Sequence, residues 1–129
     1  MRPIKFRAWD KAEGRMYPIE QWANKSWVAI PIQDDEDTWH LEQRELKDIE
    51  LMQFTGLLDK NGKEIYEGDI VKADYQTDPF EVLYLNACFT ARDRMGHFIG
   101  AIGLDHPKVE ATCEIIGNIY ENPELLETK

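Results

Sequence analysis

Long apolar runs are missing from this chain; stretches such as Val28-Ala29-Ile30-Pro31-Ile32 are only a few residues in length. A bilayer-spanning helix needs about 20, and the N-terminus carries no apolar signal core, so the sequence predicts a soluble, cytoplasmic protein with no membrane partner. Cysteine is scarce as well. Cys88 and Cys113 stand 25 positions apart without a CxxC or Cys/His box, which argues against zinc and predicts two buried free thiols in a reducing compartment. His40, His97 and His106 are the only histidines, and no two have ligand spacing on one element. Gly96, Gly100 and Gly103 lack the dinucleotide spacing, and no helix pattern follows them. With no nucleophile motif, metal box or phosphate loop, the reading is of a protein that is not an enzyme and holds no cofactor. Bases are few too: 15 against 25 acids, a formal charge of -10. Such a surface repels phosphate backbones unless its bases gather on one face, so nucleic acid is a disfavoured partner.

What is present describes a folded chain. Hydrophobic residues make up 43% and charged residues 31%, the globular range, and the length suits a single domain over residues 1–129. Charge is unevenly spread. Residues 1–33 hold six bases and three acids, whereas residues 34–50 hold eight acids against Arg44 and Lys47. The run Asp34 to Asp37 reads as a solvated loop.

The densest structural instruction lies between Leu51 and Tyr75. Asn61-Gly62 predicts a two-residue type I′ hairpin turn, because both residues tolerate positive φ. Gly56 and Gly68 mark bends, and Asp69 reads as a carboxylate that bonds backbone amides where the next strand begins. At the N-terminus, Ile4, Phe6 and Ala8 alternate with Lys5, Arg7 and Trp9, a strand with one buried face. Arg15 to Ile19 returns beside it as a hairpin, with Pro18 confining that strand to an edge. Residues 21–38 are the least regular, with a strand from Trp27 to Gln33. For residues 39–49 the pattern fits a helix and irregular structure equally well. Later strands follow at Phe80–Leu85, Ala87–Ala91, His97–Leu104 and Ala111–Tyr120, and Asn122-Pro123 reads as the cap and first residue of a terminal helical turn. The fold expected is β-rich α+β: a small, strongly bent antiparallel sheet or partly open SH3-like barrel of about six to eight short strands. It carries an N-terminal hairpin and a short C-terminal helical turn.

Three sets of side chains are candidates for function. Trp22, Trp27 and Trp39 sit in the charged excursion, and aromatic residues there suit a protein-binding surface. Lys5, Arg7, Trp9 and Arg15 interleave cations and a ring on the N-terminal hairpin, the alternative of a small nucleic-acid-binding barrel. Glu67 and Asp69, two apart, could share one side of a strand and hold a hard cation, with His97 or His106 completing an enzymatic set, the least favoured reading.

Three blocks together carry a resemblance: Ile4-Lys5-Phe6-Arg7-Ala8-Trp9-Asp10; Met52 to Leu57 running into Asp59-Lys60-Asn61-Gly62-Lys63-Glu64-Ile65-Tyr66-Glu67-Gly68-Asp69-Ile70-Val71; and Glu114 to Leu126. In this order they resemble the YopX family of small phage and prophage proteins. Residues 17–48 and 73–110 lie outside the matching blocks, and Leu58 stands where that family more often has lysine. The resemblance implies a phage or prophage gene in a bacterium, a bacterial cytoplasmic location and an accessory protein without an assigned biochemical activity. It also implies a homo-oligomer, with a trimer as the suggested state.

Overall fold

A computed structural model describes residues 5–19, 21–22, 27–74, 78–85, 88–93, 95–96, 98–101 and 112–127. It is strand-rich, with a strongly curled antiparallel sheet and no helix of seven or more residues among the described residues. None there is long and apolar enough to cross a membrane. Twelve strands are described, more than the sequence suggested. They fall into two compact units, Lys5–Gln53 and one containing Phe54–Lys129.

The first unit holds β1 (Phe6–Asp10), β2 (Arg15–Pro18), β3 (Gln21–Trp22), β4 (Trp27–Gln33), β5 (Trp39–Glu45) and the start of β6 (Ile49–Leu58). Strand β1 pairs with β2 on one side and with the first half of β6 on the other. A second ladder runs β3-β4-β5. Residues directly opposite in an antiparallel pair share a face, so Ala8 and Asp10 share theirs with Tyr17, Arg15 and Ile49. That face meets Val28 of β4, and Ala8, Val28 and Ile49 form the core, with Ile19, Leu46 and Leu51 packed against it.

Two expectations change in this unit. The excursion is regular: β4 and β5 pair in unbroken register from Trp27↔Glu45 to Gln33↔Trp39. Residues 39–49 are strand β5 and a 3-10 turn at Leu46–Asp48, because Trp39, Leu41 and Gln43 alternate with His40, Glu42 and Arg44 at period two. The acidic run is the hairpin tip, where Asp35 Oδ1 accepts the amides of Asp37 and Thr38 at 2.9 and 3.0 Å.

In the second unit the last half of β6 pairs with β7 (Glu64–Tyr66). A five-stranded sheet follows in the order β11 (Phe98–Ala101), β10 (Cys88–Asp93), β9 (Phe80–Leu85), β8 (Asp69–Ala73), β12 (Cys113–Asn118). Its core gathers Leu57, Ile65, Val71, Phe80, Val82 and Cys113. Cys113 is buried as expected, but Cys88 is exposed, since it pairs with Leu85 at the end of the β9–β10 hairpin. Arg92, directly opposite the buried Glu81, donates to its Oε1 at 3.0 Å.

The β6–β7 turn departs from the two-residue form. Gly62 N–H bonds Asp59 C=O and Asp59 N–H bonds Lys63 C=O, which leaves a three-residue loop with Gly62 at positive φ, +81°. Asp59 causes this. Its Oδ1 accepts the amides of Asn61 and Lys63 at 2.8 and 2.9 Å, and its Oδ2 accepts the amide of Ile115 in β12 at 3.0 Å. Upstream, β6 bulges at Gly56 (φ +88°), and Thr55 closes the gap by donating to Ile65 C=O and accepting the amide of Leu57. Asp69 bonds a backbone amide as anticipated, that of Tyr66 at 2.8 Å.

The C-terminal helical turn is a 3-10 turn, Pro123–Leu126, without a side-chain cap from Asn122. The Asn122 side chain turns back to accept the Asn118 amide, and a Cβ at Gly117 would lie 2.5 Å from its Oδ1.

Burial acts to raise the Asp59 carboxyl, but the amides of Ile115, Lys63 and Asn61 outweigh it and hold the group below its ordinary value of 3.8. Its stabilisation is therefore present above that value and lost as pH falls through the depressed one. Asp59→Asn should cost about 1.5–3 kcal/mol by urea denaturation at pH 7, the range for hydrogen bonds to a charged group. The gap to the parent should narrow in acid. A cost below about 0.5 kcal/mol would show that the turn and β12 hold together without the charge.

Candidate functional site

In the first unit the two sheets face each other, and one end of the space between them is polar. The inward positions of β4 are Val28, Ile30 and Ile32; opposite them on β5 stand Arg44, Glu42 and His40. The apolar half closes over Ala8 and Ile49. The other half is an ionic chain.

Arg44 is its hub. Its Nε donates to Asp10 Oδ2 at 2.9 Å, Nη1 to Glu42 Oε1 at 2.9 Å and Nη2 to Glu13 Oε1 at 3.3 Å. Only a guanidinium presents donors in a planar fork able to meet three carboxylates at once. Asp10 is 1% exposed, and its second oxygen takes the Ala12 amide at 3.0 Å, so one carboxylate both shapes the β1–β2 turn and anchors β5. Burial would raise the Asp10 carboxyl, yet the bonds from Arg44 and from the turn amides hold it below its ordinary value. Asp10 in turn raises the Arg44 guanidinium further.

Beyond Arg44 the chain branches. Tyr17 Oη donates to Glu13 Oε2, which lifts the phenol above its ordinary value. Glu42 passes its other oxygen to His40 Nε2 at 2.8 Å, and His40 Nδ1 faces Asp34 Oδ1 at 2.7 Å. Next to this chain lies an open cleft of about 560 Å³ lined by Glu13, Arg15, Tyr17, Pro31, Ile32 and Gln33, a volume within the usual range for ligand sites.

The residues singled out in the sequence are not gathered here as sets. Arg7 and Trp9 share one face of β1 with buried Met52 and with Glu50, and exposed Lys5 precedes them, but Arg15 pairs with Asp10 and so stands on the opposite face. The four do not form one platform. Trp39 stands apart from the other two tryptophans along the strands. Trp22 lies on β3 opposite Val28, while Trp27 and Trp39 sit six ladder positions apart on β4 and β5, roughly 20 Å at strand rise. The side chains of Trp22 and Trp27 fall outside the described residues. Trp39 is described and is 62% exposed, with Leu41 two positions on at 39%. Both occupy the outer face of β5, which is the end strand of its ladder among the described residues.

The sequence reading missed Arg44. It is one of two bases among eight acids, but its partners Asp10 and Glu13 lie more than 30 positions away. Of the enzymatic set, Asp69 is occupied by the Tyr66 amide, and His97 and His106 lie outside the described residues. Among the described residues no three His, Cys, Asp or Glu side chains are placed to share a metal ion.

The profile of the family described as YopX protein matches residues 5–127. The chain belongs to the YopX family. It is similar to the crystal structure of protein EF1440 from Enterococcus faecalis, with 26% identity, a TM-score of 0.69, and coverage of 98% of this chain and 100% of that one. It shares its fold with protein yopX from Bacillus subtilis, with 24% identity, a TM-score of 0.55, and coverage of 95% and 98%. No curated protein matches the sequence.

Removing Arg44 would strand Asp10 as a buried, uncompensated charge, which typically costs about 3–5 kcal/mol. Arg44→Ala should therefore be far more destabilising than Lys47→Ala, whose 76% exposed side chain meets Glu45 at the surface. Arg44→Lys should recover less than half of the loss by thermal denaturation, since an ammonium lacks the fork. Equal effects of the Arg44→Ala and Lys47→Ala changes would show that the hub carries no structural weight.

Proposed function

We propose that this YopX-family chain is a phage or prophage accessory protein that works without catalysis in the bacterial cytoplasm, by binding another protein or a second copy of itself. The observation that carries the reading is Trp39. An indole exposed over 62% of its surface, beside Leu41 on an end strand, is costly to leave in water. Exposed aromatic residues of this kind are preferred anchors of protein interfaces, and an end strand offers unpaired backbone groups to a partner strand. The charge of -10 favours partners that are not nucleic acid.

Trp22 and Trp27 belong to the same excursion, and we include them as secondary contacts. We read the curled sheet of the second unit as the partly open, SH3-like scaffold of the protein. Self-association into a homo-oligomer, with a trimer as the state the family resemblance suggests, is the first form of binding to test.

Trp39→Ser should leave unfolding free energy within about 0.5 kcal/mol of the parent, as for other surface changes. Combined with Leu41→Ser, it should lower the weight-average mass in sedimentation velocity or abolish retention of a specific host protein. A parent chain that is monomeric at high concentration, together with a capture profile unchanged by both substitutions, would sink the reading.

A further inference from the structure

The β4–β5 hairpin carries a second feature that no partner is needed to detect. Its tip is closed twice. The backbone closes it through the amides of Asp34 and Asp35, which both donate to Thr38 C=O at 2.9 and 3.3 Å. The side chains close it through one imidazole: His40 Nδ1 lies 2.7 Å from Asp34 Oδ1 and Nε2 lies 2.8 Å from Glu42 Oε2.

A carboxylate only accepts hydrogen bonds, whereas a neutral imidazole donates from one nitrogen and accepts at the other. Two carboxylates on the two ring nitrogens are therefore satisfied together only by the imidazolium. We propose that Asp34, His40 and Glu42 form a proton-operated clasp on the β4–β5 hairpin, closed when His40 carries two ring protons and released when it loses one. This rests on the reading of the hairpin as the binding element, since Trp39 immediately precedes His40 on β5 and is the residue whose setting the clasp would change.

Among the described residues, three groups face the ring. Asp34 comes from the tip, Glu42 from β5 itself, and Ile32 stands opposite on β4. The next charge along is Arg44, which reaches the ring only through Glu42. The bond from Asp34 and then that from Glu42 raise the imidazole above its ordinary value of 6.5. Glu42 is held below its ordinary 4.5, chiefly by His40 and then by Arg44.

The signs define a window. The histidine contribution is complete below 6.5 and is lost as pH rises through the raised value. The Glu42 contribution is present above 4.5 and is lost as pH falls through the depressed one. The clasp is closed between these limits, with its upper edge above the ordinary imidazole value of 6.5. Release leaves Asp34 and Glu42 repelling across a neutral ring, while the Arg44–Asp10 pair beneath stays intact. The change is confined to the tip and to Trp39.

The test is a proton and nitrogen NMR titration of the free, full-length protein from pH 5 to pH 9. The His40 midpoint should lie above 6.5, and the Trp39 indole and the Thr38 amide should titrate with the same midpoint. His40→Gln should abolish the response of both reporters. Asp34→Asn combined with Glu42→Gln should return the His40 midpoint to about 6.5. A midpoint at or below 6.5 in the parent, or reporters that ignore the His40 titration, would overturn the clasp. Because no partner is present, that outcome would leave the binding role of Trp39 to its own experiment.

Discussion

A buried aspartate at the end of a strand organises each unit of this protein. Asp10 closes the β1–β2 turn through the Ala12 amide and reaches across to Arg44; Asp59 closes the β6–β7 turn through Asn61 and Lys63 and reaches across to Ile115. Each is almost wholly removed from water, at 1% and 2% exposure. An ionised carboxylate so placed is costly unless every lone pair finds a donor. That cost is what makes the two sites specific: a turn of different length, or a strand out of register, would strand the charge. Local turn chemistry and long-range strand pairing are thus enforced by the same atom.

The two aspartates differ in what completes them, and the difference sets what each unit can do. Asp59 is satisfied by backbone amides alone, which carry no side-chain freedom, so its neighbourhood is scaffold. Asp10 is satisfied by a guanidinium that has donors to spare. Arg44 spends them on Glu13 and Glu42, and through these the order at Asp10 extends to Tyr17 on one side and His40 on the other. A polar chain at the open end of a two-sheet unit can respond to solvent, protons and partners in a way that a set of backbone bonds does not.

Much of the fold was legible because it depends on neighbours in sequence. The alternation at Phe6–Asp10, Pro18 confined to an end strand, the bends at Gly56 and Gly68 and the amide bond of Asp69 all follow from residues within a few positions of one another. The family blocks were legible for the same reason. Errors arose where a distant group decided the outcome. The turn at Asn61-Gly62 looked like a two-residue reversal, but Asp59, tied to β12, imposes a three-residue loop. Asn122 looked like a helix cap, but it closes on the Asn118 amide over a glycine that leaves room for it. Residues 39–45 were ambiguous between periods because His40, Glu42 and Arg44 are polar residues facing inward, against the usual rule that the inner face is apolar. The division into two units left no trace in composition, since it falls inside the continuous strand β6 rather than at a linker.

The acids that give the chain its charge of -10 are therefore not one population. Asp10, Asp59, Asp69 and Glu81 are buried and bonded, and they act as internal fasteners. Asp35 shapes its own loop through two amides. Glu42 occupies a boundary between these roles. Its one carboxylate is shared between Arg44, which belongs to the buried network, and His40, which belongs to the exposed tip. An arginine stays charged across the physiological range, whereas a histidine does not. The shared oxygen pair thus joins a permanent bond to a conditional one. On the proposed reading, the hairpin that displays Trp39 loosens at its tip while its root stays fastened to the core through Arg44 and Asp10.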